Sequence, residues 1–210
     1  MKQMAFKRLA LSVCAVSLLS GALTACFPLV LGGAVAGGAL LSTDRRTSGA
    51  QLEDEGIELR GASRIRGSVG DRAHVNLTSY NRQVLLTGEV PNEQDKQLIE
   101  QIVSRVENVT GVVNELAVIG NSTLTQRASD MLVTGRAKAG LVDASDLFAN
   151  SFKVVTERGT TYLMGRVTQR EADRGTDVVR GIPGVQKVVR IFAIITEAEL
   201  ARLLPAAPKP

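Results

Sequence analysis

The chain has 210 residues, with 25 Lys or Arg, 21 Asp or Glu, one histidine, two cysteines and no tryptophan. Its formal net charge of +4 falls to +1 once the three cations before residue 26 are set aside (Lys2, Lys7 and Arg8), so no strong basic field is left for a polyanion. With two tyrosines and no basic run interleaved with aromatic residues there is no stacking platform, which excludes nucleic acid as a partner.

The N-terminus has three parts: the cations, an apolar run over 9–19, and the small residues Ser20, Gly21 and Ala22. This is the layout of a secretory signal. Eleven helical residues rise only about 16 Å, against the roughly 30 Å of a bilayer core, so the run is too short to span. It ends in LTAC, 23–26, which resembles the lipobox of bacterial lipoproteins. The resemblance implies removal of residues 1–25 and lipid attachment at Cys26, as a thioether-linked diacylglycerol and an acylated amine. More than one acyl chain is what stable anchoring requires. Phe27 stands where an Asp would imply retention in the inner membrane, so the implied destination is the outer membrane, periplasmic face. Cys14 leaves with the signal, and Cys26 alone cannot form an intrachain disulfide.

After the cysteine, FPLVLGGAVAGGALL and STDRRTSGAQ read as a Gly/Ala-rich tether and polar linker, 26–51. The next stretch repeats itself. HVNLTSYNRQVLLTGEV, 74–90, matches SFKVVTERGTTYLMGRV, 151–167, and VTGVVNEL, 109–116, matches IPGVQKVV, 182–189. Such self-similarity marks a duplicated unit. In the first copy a helix is expected over 54–66 with Asp54 as N-cap, then a hairpin turning at Tyr80-Asn81-Arg82-Gln83. A helix capped by Asn92 follows, and a strand after Gly111. In the second copy the helix covers 124–141 with Thr123 as N-cap, and the turn is Glu157-Arg158-Gly159-Thr160. Thr168 and Glu171 have the spacing of a capping box, and a strand runs from Val185 to Ile194. The paired glycines lie 23 residues apart in one copy (Gly88, Gly111) and 19 in the other (Gly165, Gly184), a difference near one helical turn. Residues 198–210 read as a Pro-rich tail, whose end PAAPKP is expected to be disordered.

The αββαβ order, the V-x-L-x-G-x-V strand and the later Gly-Val strand start resemble the BON domain. The resemblance implies an α+β chain of two tandem αββαβ BON-like domains, 52–120 and 121–197, each expected to fold as a separate unit. Gly61 and Gly67 depart from a clean first helix. A lipobox followed by two such copies looks like the dual-BON outer-membrane lipoproteins of the DolP type. That likeness implies a second domain that binds anionic phospholipid, phosphatidylglycerol or cardiolipin, and a protein that supports envelope integrity at the division site. The alternative is a protein-interaction module contacting an outer-membrane assembly or cell-wall partner.

No catalytic constellation is visible, and no cofactor is implied. A Ser-His-Asp triad would need the one histidine, His74, and no second metal ligand stands at metal-like spacing from it. GGAVAGG lacks the Lys and Ser/Thr of a phosphate-binding loop. The charge is divided: residues 51–120 carry 7 basic and 11 acidic groups, residues 121–194 carry 11 and 7. The split favours the second domain for an anionic partner. On helix 124–141, projected at about 100° per residue, Leu124, Ala128, Met131, Gly135, Ala139 and Val142 share a stripe about 80° wide, expected to face the core. Leu132 falls at its edge, and Val133 and Arg136 fall outside. Leu132, Val133, Arg136 and Lys138 are therefore the candidate phospholipid contacts, with aliphatic groups at the acyl boundary and cations at the phosphates.

Overall fold

The computed structural model describes residues 44–203. The signal peptide, Cys26, most of the tether and the last residues of the tail lie outside them. The elements run α1 (Ser48–Val69), β1 (His74–Tyr80), β2 (Gln83–Val90), α2 (Glu93–Ser104), β3 (Gly111–Asn114), β4 (Ala117–Val118), α3 (Leu124–Asp143), β5 (Phe152–Glu157), β6 (Thr160–Val167), α4 (Gln169–Arg180), β7 (Lys187–Ile194) and α5 (Glu197–Leu203). This is αββαβ twice. In each copy two antiparallel strands form the hairpin, and a helical crossover returns the chain parallel to the second strand. β7 runs beside all of β6, whereas its counterpart in the first copy is broken into β3 and β4, which pair in turn with β2.

Local causes account for most boundaries. Both hairpins turn through two residues of positive φ, Asn81 and Arg82 in the first and Arg158 and Gly159 in the second. That is the backbone twist two-residue hairpin loops need. Thr123 caps α3 and Thr168 caps α4, each in a reciprocal capping box. Asn92 caps α2 by accepting the Asp95 N–H. The first helix differs from expectation. It starts six residues earlier, capped by Thr47 rather than Asp54, and runs through Gly61 and Gly67. Gly61 has a packing reason, because a Cβ there would collide with Leu77 Cδ1 on β1. The folded part also runs past its expected end at 197, while PAAPKP lies outside the described residues. Thr196 and Glu199 cap one another to form α5, and Leu200 is buried.

Three apolar clusters hold the fold. Ile57, Ile65, Val84, Leu86, Val90, Ile99 and Val103 centre the first domain, and Leu141, Phe152, Val154, Leu163, Val167 and Val179 the second. Tyr80, Leu85, Tyr162, Met164 and Ile191 form a third between the two sheets. Side chains alternate along a strand, so Leu86 and Leu163 enter their own cores while Leu85, Tyr162 and Met164 face the other domain. Burial, then the Glu115 carboxylate, pushes the Tyr162 phenol up to about 12. The two domains belong to one compact unit, Ser42–Pro210.

The polar linker is not free at its C-terminal end. Arg45 donates to both carboxylate oxygens of Glu171 (2.7 and 2.6 Å) and to the Arg166 carbonyl, all in the second domain. Arg46 donates to Asp54 of the first domain at 2.8 Å and lies 4.4 Å from the Tyr80 ring centre.

Candidate functional site

Helix α3 is held by its polar inner face as much as by its apolar one. Asp130 accepts the N–H groups of Arg158 and Gly159, which the hairpin turn leaves without a strand partner. Thr134 Oγ1 accepts the Thr156 N–H. Val133, Ala137 and Leu141 are the buried apolar residues of the helix. α1 repeats the scheme in the first domain. Asp54 accepts the Asn81 and Arg82 N–H groups, Glu58 accepts from Ser79, and Ile57, Gly61 and Ile65 face inward.

This register reverses the expected orientation of α3. The stripe of Leu124, Ala128, Met131, Gly135, Ala139 and Val142 points to solvent. Leu124 is 81% exposed, Met131 74% and Val142 68%. Leu132 at its edge is 63% exposed, and Arg136 and Lys138 are exposed beside it. Val133, expected as a lipid contact, is 5% exposed, and its Cγ2 is 2.6 Å from where a Cβ on Gly184 would stand. The physical reason is close packing. Val133, Ala137 and Leu141 fill the inner face, Gly140 lets α3 approach Ile182, and Gly175 on α4 makes room for Leu141 and Phe152, so the stripe with Leu124, Met131 and Val142 is left outside. Leu132, Arg136 and Lys138 thus share one surface with Leu124, Met131 and Val142, while Val133 does not.

The repeat supplies an internal comparison. Aligned on their caps, Thr47 and Thr123, the two helices match Asp54 with Asp130, Ile57 with Val133 and Ile65 with Leu141. In that register the outward positions Ser48, Glu55, Gly56 and Arg66 of α1 correspond to Leu124, Met131, Leu132 and Val142 of α3. Those four positions are polar or small in α1 and apolar in α3, but α1 in turn exposes Leu52 (69%) and Leu59 (74%) where α3 has Ala128 and Gly135, so both helices present apolar side chains outward. Among the described residues no helix is long and apolar enough to cross a membrane.

A second group lies where the domains meet. His74 and Glu89 pair across β1 and β2, with Nδ1 and Oε2 3.0 Å apart. Glu89 is fully buried, and its Oε2 also accepts from the N–H and hydroxyl of Ser122. Burial opposes its ionisation, but the Ser122 N–H and hydroxyl and then His74 outweigh it, so the carboxyl sits below the usual range. Glu157, from the end of β5, accepts from Asn76 at 2.7 Å, and burial pushes its carboxyl up. Ligand-capable atoms of His74, Glu89 and Glu157 lie within 4.8 Å of one another. The chain separates these residues by 15 and 83 positions, so spacing along the sequence left His74 without a partner.

The family comparison agrees with this architecture. The BON domain family model matches twice, over 58–120 and 129–195. The outer membrane lipoprotein DolP of Haemophilus influenzae is 35% identical over 188 residues, covering 89% of this chain and 95% of its own length. A 21 kDa hemolysin of Actinobacillus pleuropneumoniae is 30% identical over 151 residues, covering 71% and 78%. CdsD, a structural protein of the type III secretion system of Chlamydia trachomatis, is 16% identical, with 70% of this chain and 99% of that one covered at a TM-score of 0.29. With family matches spanning more than half of its length, the chain belongs to the BON-domain family and carries two such domains in tandem.

Proposed function

We propose that this outer-membrane lipoprotein binds anionic phospholipid through the exposed face of α3 and so supports envelope integrity, including at the division site. Its location is that of the Haemophilus relative, and acyl chains on Cys26 form the anchor. The observation that carries the reading is the outward stripe of Leu124, Met131, Leu132 and Val142 flanked by Arg136 and Lys138. A helix lying in the membrane interface has this anatomy. Each cation near an anionic surface adds about 1 kcal/mol, so the two supply headgroup selectivity while the stripe supplies insertion. Phosphatidylglycerol and cardiolipin fit this chemistry equally.

Vesicle co-sedimentation of Ser42–Pro210, which lacks the anchor, is the test. The whole unit is the right protein because an isolated second domain would uncover Tyr162, Met164 and Ile191. Leu132→Glu with Met131→Glu should abolish binding to phosphatidylglycerol vesicles, and Arg136→Glu should weaken it, both with the melting temperature retained. Unchanged binding in both variants would remove α3 from the mechanism. No binding by the parent protein would favour the envelope-protein partner.

A further inference from the structure

We propose that His74, Glu89 and Glu157 form a site for one divalent transition-metal ion, zinc being the probe, that joins the two BON domains. The donor set is one imidazole and two carboxylates. Imidazole suits zinc and its first-row neighbours, whereas magnesium and calcium prefer all-oxygen cages. Two donors come from the first domain and one from the second, so the ion would act across the interface.

The independent observation is Glu89 Oε1. It belongs to a fully buried side chain yet has no hydrogen-bond partner, while Oε2 of the same carboxylate has three. The nearest cation, Arg158 Nη1, stands 3.7 Å from Oε1, beyond hydrogen-bond reach. The Arg158 side chain is 43% exposed and free to swing outward when an ion takes its place. Donors around a four-coordinate zinc stand about 2.0–2.1 Å from the metal. From the present separations of up to 4.8 Å, carboxylate rotation would have to close the cluster modestly. Asn76 and Ser122 hydrogen-bond the two carboxylates, the outer-shell support that ligands in metal sites have. Glu157 and Arg158 also line an open cleft of about 420 Å³.

The test is calorimetric titration of the acylated full chain, purified in detergent without a histidine tag, with zinc chloride. Cobalt absorption reports the coordination. One saturable site per chain is expected, with a melting temperature that zinc raises and a chelator lowers. His74→Gln and Glu157→Gln should each weaken zinc at least about tenfold. Arg158→Gln, which removes the competing cation, should tighten it. Magnesium at the same concentration should do none of this. Absence of saturable binding, or zinc affinity unchanged in both His74→Gln and Glu157→Gln, would overturn the site. Neither result touches the reading of α3, which shares no residue with it.

Discussion

Asp54 carries more of the first domain than any local pattern suggests. It is almost fully buried and accepts from Ser79 Oγ, the Asn81 and Arg82 N–H groups and the Arg46 guanidinium. Burial pushes its carboxyl up, but the Arg82 N–H, Ser79, Arg46 and the Asn81 N–H outweigh that and hold it below the usual range. Glu171 is a parallel case: burial is opposed by Arg45 and the Thr168 N–H, and the carboxyl again sits low. Groups with depressed values contribute stability above the ordinary carboxylate range, about 4, and lose it as pH falls through their folded-state values. Asp54→Ala should therefore cost about 3 kcal/mol at neutral pH, by stranding the turn N–H groups and Arg46. The variant should also lose less stability than the parent as pH falls below about 4, as urea midpoints across pH would show. In sequence Asp54 has the look of an N-cap, because it precedes an apolar run. Its protein-chain partners on the hairpin lie 25 to 28 residues away, beyond the reach of any local signal.

At the level of elements, legibility follows the range of the cause. Hairpin turns and capping boxes are settled within four residues, and these are where sequence and structure agree most closely. The orientation of α3 depends on what packs against it, and a wide apolar stripe looks like a core stripe until its neighbours are known. Two substitutions one residue apart separate the faces. Val133→Glu should cost several kcal/mol by burying a charge, whereas Leu132→Glu should stay within about 0.5 kcal/mol. Thermal melts of the two proteins decide it, and equal losses would refute the register. Gly88 is a third local test. It holds φ +114, and a Cβ there would strike the His74 carbonyl oxygen, so Gly88→Ala should disturb β1–β2 pairing and lower the urea midpoint.

The whole molecule is more unified than its repeat suggests. Self-similarity implies two modules that fold alone, but Tyr80 and Leu85 share a buried cluster with Tyr162, Met164 and Ile191. Scanning calorimetry should accordingly show one transition for Ser42–Pro210. Met164→Lys should split or broaden it, because a buried unpaired charge would part the sheets. For the intact lipoprotein, mass spectrometry of the mature N-terminus should find an acylated Cys26, and an unmodified start elsewhere would remove the anchor. The pair Arg45 and Arg46 then acquires a mechanical meaning. They stand just before α1, one gripping Glu171 in the second domain and the other Asp54 in the first. Tension arriving from the N-terminal side would meet these two grips before it reached Thr47. The load would be shared between both domains and resisted by ion pairs that must yield together, and the first turn of α1 would be spared from peeling away one hydrogen bond at a time.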